Sequence, residues 1–171
     1  MHWVALFSHT GNEIANISNR LTHWPDKIVT NNCPGLYSNR IKQEVTHTSN
    51  KPSIDSYRDI LSNADIITLH GWMRIIPGVI CEEFEIYNLH PGLITSYPEL
   101  KGKDPQSRVL GNINSYDRIG CVIHRVTKDV DCGNIEMERS VRNDLYSEAS
   151  ITRVLHGIAS DMWVDFLMDR V

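Results

Sequence analysis

The chain has 171 residues, 41% of them apolar and 22% charged, with a formal net charge of −4. That length suits one domain, 1–171, able to bury about two-thirds of its unfolded surface, and the negative balance gives no overall pull towards nucleic acid or an anionic membrane. No apolar stretch approaches the roughly 20 residues needed to span a bilayer. The start, MHWVALFS, lacks the basic head and long apolar core of a signal peptide. Cys33, Cys81, Cys121 and Cys132 are widely spaced with no C-x-x-C, so reduced thiols and a cytoplasmic location are expected.

Trp3 to Phe7 (WVALF) is a continuous apolar run and predicts a strand covered on both faces. SHTGNE makes a turn, and Glu13 to Leu21 carries Ile14, Ile17 and Leu21 at helical spacing. Lys27 to Asn31 reads as the second strand, and Cys33 to Val45 has room for a short helix. Ser53 has the character of an N-cap for a helix burying Ile54, Tyr57, Ile60 and Leu61. Asp65 to His70 (DIITLH) is the clearest buried strand. Pro77 opens a short helix ending near Phe84, and Glu85 to His90 is the next strand. After a polar loop, Gly120 to Val126 and Gly133 to Val141 read as a hairpin-like strand pair. Ser147 then caps a helix with Ile151, Val154, Leu155, Ile158, Met162 and Phe166 on its apolar face. The alternation predicts an α/β fold: a three-layer, mostly parallel twisted sheet with helices on both faces, extended by the antiparallel pair.

The stretch YNLHPGLITSYPELKGKDP holds the chemistry. Asn88 and His90 lie two apart, so on an extended segment they share one face, and Pro91 with Gly92 stops the strand just beyond them. The pair therefore sits at the carboxyl tip of a strand, where open α/β sheets bind ligands. On their own, Asn88 could equally be a strand-end turn residue and His90 a satisfied core histidine.

Three stretches in order resemble the folate-dependent formyltransferases: LHGWMRIIP (Leu69 to Pro77), NLHPGLITSYPELKGKDP, and GCVIHRVTKDVDCGNI (Gly120 to Ile135). The resemblance extends to the branches acting on glycinamide ribonucleotide and on amino sugars. It implies the Rossmann-like formyltransferase fold and transfer of a formyl group from 10-formyltetrahydrofolate, as co-substrate, to a primary amine of a small molecule. In the family the positions matching Asn88, His90 and Asp131 form the catalytic trio. Their chemistry suits the reaction: Asn88 can donate to a developing oxyanion, His90 can move protons near neutral pH, and Asp131 can orient the imidazole or relay a proton through water. The resemblance also implies a pterin pocket lined by Trp72, Met73, Arg74, Ile75 and Ile76 and closed by the loop Thr127, Lys128, Asp129 and Val130. For Trp72 and Met73 simple core packing, and for Arg74 a salt bridge, are the structural alternatives.

The acceptor side of the resemblance takes in Gly11, Asn12, Glu13, Pro91, Gly92 and His124, the last either near the acceptor or supporting the site. Here the chain departs from the family. FSHTGNEI stands where the glycinamide ribonucleotide branch has S-G-x-G-[ST]-N-[LF], a turn that holds phosphate on backbone N–H groups. His9 replaces the first glycine, and Glu13 brings a carboxylate that suits the helix dipole but repels a phosphate. Ile158 stands where that branch has an acidic residue near its acceptor, and its usual final strands are not expected after this helix. An amino-sugar nucleotide and a glycinamide ribonucleotide-like amine are the leading acceptors. Methionyl-tRNA fits less well without an added RNA-binding domain, so no nucleic-acid partner is expected. Two alternatives stay open: a formyltetrahydrofolate hydrolase using the same trio on water, and a non-catalytic folate- or nucleotide-binding module. The histidine spacing implies no metal, and a homodimer is compatible with the reading.

Overall fold

The computed structural model describes residues 1–144 and 147–171. Seven strands form one sheet: β1 (Trp3–Phe7), β2 (Lys27–Thr30), β3 (Val45–His47), β4 (Ile66–His70), β5 (Ile86–His90), β6 (Arg118–Arg125) and β7 (Ile135–Arg142), in the spatial order β3-β2-β1-β4-β5-β6-β7. The first five are parallel, while β6 runs antiparallel to β5 and β7 antiparallel to β6. This is the mostly parallel sheet with an antiparallel extension that the sequence predicts.

Alternation along β1 explains the layers, since successive side chains point to opposite faces. Trp3, Ala5 and Phe7 pack with Ile14 and Ile17 of α1 (Asn12–Leu21) and with Leu155, Met162, Trp163 and Phe166 of α5 (Glu148–Met168). Val4 and Leu6 pack on the other face with Tyr57, Ile60 and Leu61 of α2 (Ile54–Leu61) and Ile80 of α3 (Gly78–Glu83). Every residue of β1 and β4 is buried, which is why β1 reads as an unbroken apolar run and β4 as a mostly apolar one. Ser53 caps α2 by accepting from the Ser56 N–H at 3.1 Å, and Ser147 caps α5 by accepting from Ser150 at 3.2 Å. No helix among the described residues is long and apolar enough to cross a membrane.

Three expectations need correction. Ile54, expected on the buried face of α2, is exposed at the helix start. Cys33 to Val45 holds no helix; Pro34 and Gly35 break the segment, and its end enters β3, a three-residue edge strand aligned Val45 to Ile28. So short and polar a strand carries almost no periodicity. The stretch after β5, expected as a polar loop, contains α4 (Pro105–Gly111), with Pro105 at its first turn and Val109 buried.

Candidate active site

Parallel register carries β4 and β5 to the same carboxyl edge, with Leu69 opposite Asn88. The antiparallel neighbour then sets His124 of β6 directly opposite Asn88 and Val122 opposite His90. Beyond β6 the chain loops through Thr127 to Asp131 before returning as β7, which brings Asp131 back over the tip of β5.

The side chains meet there. His90 Nε2 donates to the Leu100 carbonyl at 2.8 Å, which leaves Nδ1 facing Asp131 Oδ2 at 3.2 Å. Asp131 Oδ2 also accepts from the Gly102 N–H at 2.8 Å, and its Oδ1 lies 3.3 Å from His124 Nε2. His124 Nδ1 donates to its neighbour's carbonyl on Arg125 at 3.0 Å, and its Nε2 is 3.3 Å from the Asn88 amide nitrogen. A bare Nε2 accepts from Asn88; a protonated one donates to Asp131. Asp131 thus stands between two imidazoles, each already donating through its other nitrogen to a backbone carbonyl.

Burial lowers the pKa of His90 below the ordinary imidazole value of 6.5, overcoming the opposing pull of the Asp131 carboxylate and the Leu100 hydrogen bond. Burial works the other way on Asp131, but the His124 contact, the charge on His90 and the Gly102 N–H outweigh it, and the carboxyl sits below its usual range. A neutral imidazole beside an ionised carboxylate is a proton acceptor whose charged form has a partner in place. Asp131 holds this position with a left-handed backbone, φ 52°, a conformation that Asp and Asn tolerate better than most side chains.

The remaining predicted residues divide. Gly92 packs on His90: a Cβ there would lie 3.2 Å from the imidazole ring and from Pro105 Cβ. Its position, with that of half-buried Pro91, makes room for the His90 ring. Trp72 and Ile76 are buried, Trp72 Nε1 donating to the Tyr57 hydroxyl at 3.3 Å, while Met73 and Ile75 are exposed. Among the described residues Arg74 has no salt-bridge partner; it donates to the Asn50 carbonyl at 2.6 Å and to the Asn50 side chain. Beside Asp131 is a cleft of about 350 Å³, lined by Thr127, Lys128 and Asp129 of the loop, by Gly78, Cys81 and Glu82 of α3, and by Cys132. Val130 is exposed and does not line it. The α3 wall was not read from the sequence, because short helices give little sign of which face turns inward.

Gly11, Asn12 and Glu13 lie where β1 runs into α1. Gly11 has φ 67°, a value that favours glycine, and caps the helix with no side-chain bond. Glu13 Oε2 accepts from Nδ1 of His70, the last residue of β4, at 2.8 Å. The sequence reading missed His70. Its place at the tip of an apolar strand, like that of His90, is the signal that could have found it. Ile158 packs against the core on α5.

A family model described as formyl transferase matches residues 26–158. Over 89 residues the chain is 33% identical to the phosphoribosylglycinamide formyltransferase of Dictyostelium discoideum, covering 47% of this chain and 42% of that protein. Over 118 residues it is 24% identical to the methionyl-tRNA formyltransferase of Thermotoga maritima, covering 68% of this chain and 36% of that protein. The match thus spans less than half the length of each. In three dimensions it resembles the phosphoribosylglycinamide formyltransferase of Campylobacter jejuni, with a TM-score of 0.84 at 18% identity over 98% of this chain and 95% of that one. With its matched segment running from β2 into α5 and containing Asn88, His90, His124 and Asp131, the chain belongs to the formyl transferase family.

Proposed function

We propose that the chain transfers a formyl group from 10-formyltetrahydrofolate to the primary amine of a small molecule, an amino-sugar nucleotide or a glycinamide ribonucleotide-like compound. The observation that carries this reading is the connected set Asn88, His90, Asp131 and His124 at the strand tips, beside a cleft within the size range of small-molecule sites. In it the folate co-substrate would occupy the cleft between α3 and the Thr127–Asp131 loop, with the backbone of Trp72 to Ile76 contributing to the pterin end.

The amine nitrogen attacks the formyl carbon, and its carbonyl oxygen takes up negative charge. Asn88 spends one amide N–H on His124 and has a second for that oxyanion. His90 accepts the proton lost by the nitrogen at Nδ1, where Asp131 compensates the new charge. Collapse breaks the bond from carbon to the folate nitrogen, and the same proton is returned to that leaving nitrogen. Atoms balance as formylated amine and tetrahydrofolate. We place the reaction in the cytoplasm, in one-carbon metabolism, on a single catalytic domain (1–171); light scattering would show whether that domain dimerises.

The test is turnover of 10-formyltetrahydrofolate with a panel of amines. Release of tetrahydrofolate that requires an amine and yields its N-formyl product supports the proposal. Release that proceeds equally without amine, giving formate, overturns it.

A further inference from the structure

We infer that Glu13, fixed by His70, selects the acceptor: it takes an amine substrate presenting hydroxyl or ammonium donors to the first turn and rejects one presenting a phosphomonoester there. This rests on the formyl-transfer reading and names the substrate class within it.

His70 pairs in register with Phe7 at the end of β1, and its neighbour Leu69 pairs with Asn88. His70 and Asn88 therefore stand on adjacent strands at the same edge of the sheet with their side chains turned to opposite faces, so the inferred substrate lies across the strand tips to meet both. The His70 side chain is wholly buried, its ring 4.9 Å from that of Trp163.

The hydrogen bonds behind Glu13 run in one direction. The indole of Trp3 can only donate, and its Nε1 lies 2.8 Å from Thr68 Oγ1, which must accept. Thr68 Oγ1 is also 2.8 Å from His70 Nε2, and these are its hydrogen bonds among the described residues. If His70 donated there, the buried Thr68 hydroxyl proton would have no acceptor, a costly state. Thr68 therefore donates to Nε2, Nδ1 carries the ring's proton, and that proton is given to Glu13 Oε2 at 2.8 Å. The imidazole is neutral in this arrangement, so it holds Glu13 in place without cancelling its charge.

The Glu13 side chain is about a third exposed, with Oε2 meeting His70. It occupies the first turn of α1, where the helix dipole already favours one anion. A second anion would be repelled. Arg20, the basic residue of α1, cannot offset this, being in the last turn and paired with Asp161 at 2.8 Å.

Calorimetric binding of two probes, glycinamide ribonucleotide and the dephosphorylated glycinamide riboside, tests this without a formyl donor, so failure of the chemistry and failure of the selectivity are read separately. Wild type should bind the riboside at least about 10-fold more tightly, and Glu13→Gln, whose amide oxygen still accepts from His70, should shift the ratio about 10-fold towards the ribonucleotide. Glu13→Asp, which keeps the charge, should retain the wild-type preference. Equal or tighter binding of the ribonucleotide by wild type overturns the inference, as does an unchanged ratio in Glu13→Gln or binding of neither probe.

Discussion

Two neighbouring stretches of the sheet's carboxyl edge use histidine in opposite ways. At β5 and β6, His90 and His124 each spend one nitrogen on a backbone carbonyl and turn the other towards Asp131. At β1 and β4, His70 sits between Thr68 and Glu13 with both nitrogens committed, one accepting and one donating. A histidine's role is set by what its second nitrogen meets rather than by its place at a strand tip. The family match separates the two regions as well: it begins at residue 26, so it includes the first site and leaves out the Gly11–Glu13 turn.

Substitutions can break the comparison, beginning with the largest effect. His90→Ala should lower turnover by about 10²–10⁴-fold, with donor affinity little changed because the cleft is built from α3 and the Thr127–Asp131 loop. Steady-state kinetics beside donor titration would show it, and near-full activity would remove His90 from the chemistry. Asn88→Asp keeps the shape but turns a carboxylate towards the developing oxyanion, and kcat should fall by about 10²–10³-fold. If circular dichroism instead showed the variant unfolded, Asn88 would be a turn residue and no more. In the second region Glu13→Gln should leave folding intact and alter acceptor choice by only about 10-fold, as argued from the His70 contact. Ser53→Ala, far from both, should cost about 1 kcal/mol of stability in denaturant unfolding by removing the α2 cap, with kcat unchanged.

What the sequence shows of this molecule depends on how each element is made. β1 and β4 are buried on both faces and read as apolar strands, β4 broken only by Thr68 and His70, and Ser53 and Ser147 mark their helices by cap chemistry. β3 was lost because an edge strand of Val45, Thr46 and His47 has nothing to repeat, and α4 because its seven residues bury little beyond Pro105 and Val109. The trio was legible through its spacing and its family pattern. Its backbone partners were not: Leu100 and Gly102 bond through main-chain atoms, which any residue supplies. His70 was missed because its meaning lies in the side chains of Thr68 and Trp3, 2 and 67 positions away in a chain folded into one sheet.

The pH dependence of formyl transfer tests the central claim most directly, that His90 works as a neutral proton acceptor backed by Asp131. Burial depresses the imidazole pKa, so His90 is neutral and competent above its folded value and protonated below it. Activity should therefore hold through neutral pH and fall along an acid limb with its midpoint below 6.5. In Asp131→Asn, which removes the carboxylate that pulls this pKa upward, the limb should move to still lower pH while the plateau drops. A limb centred at or above 6.5 in the wild type, or one that does not move in Asp131→Asn, would contradict the account.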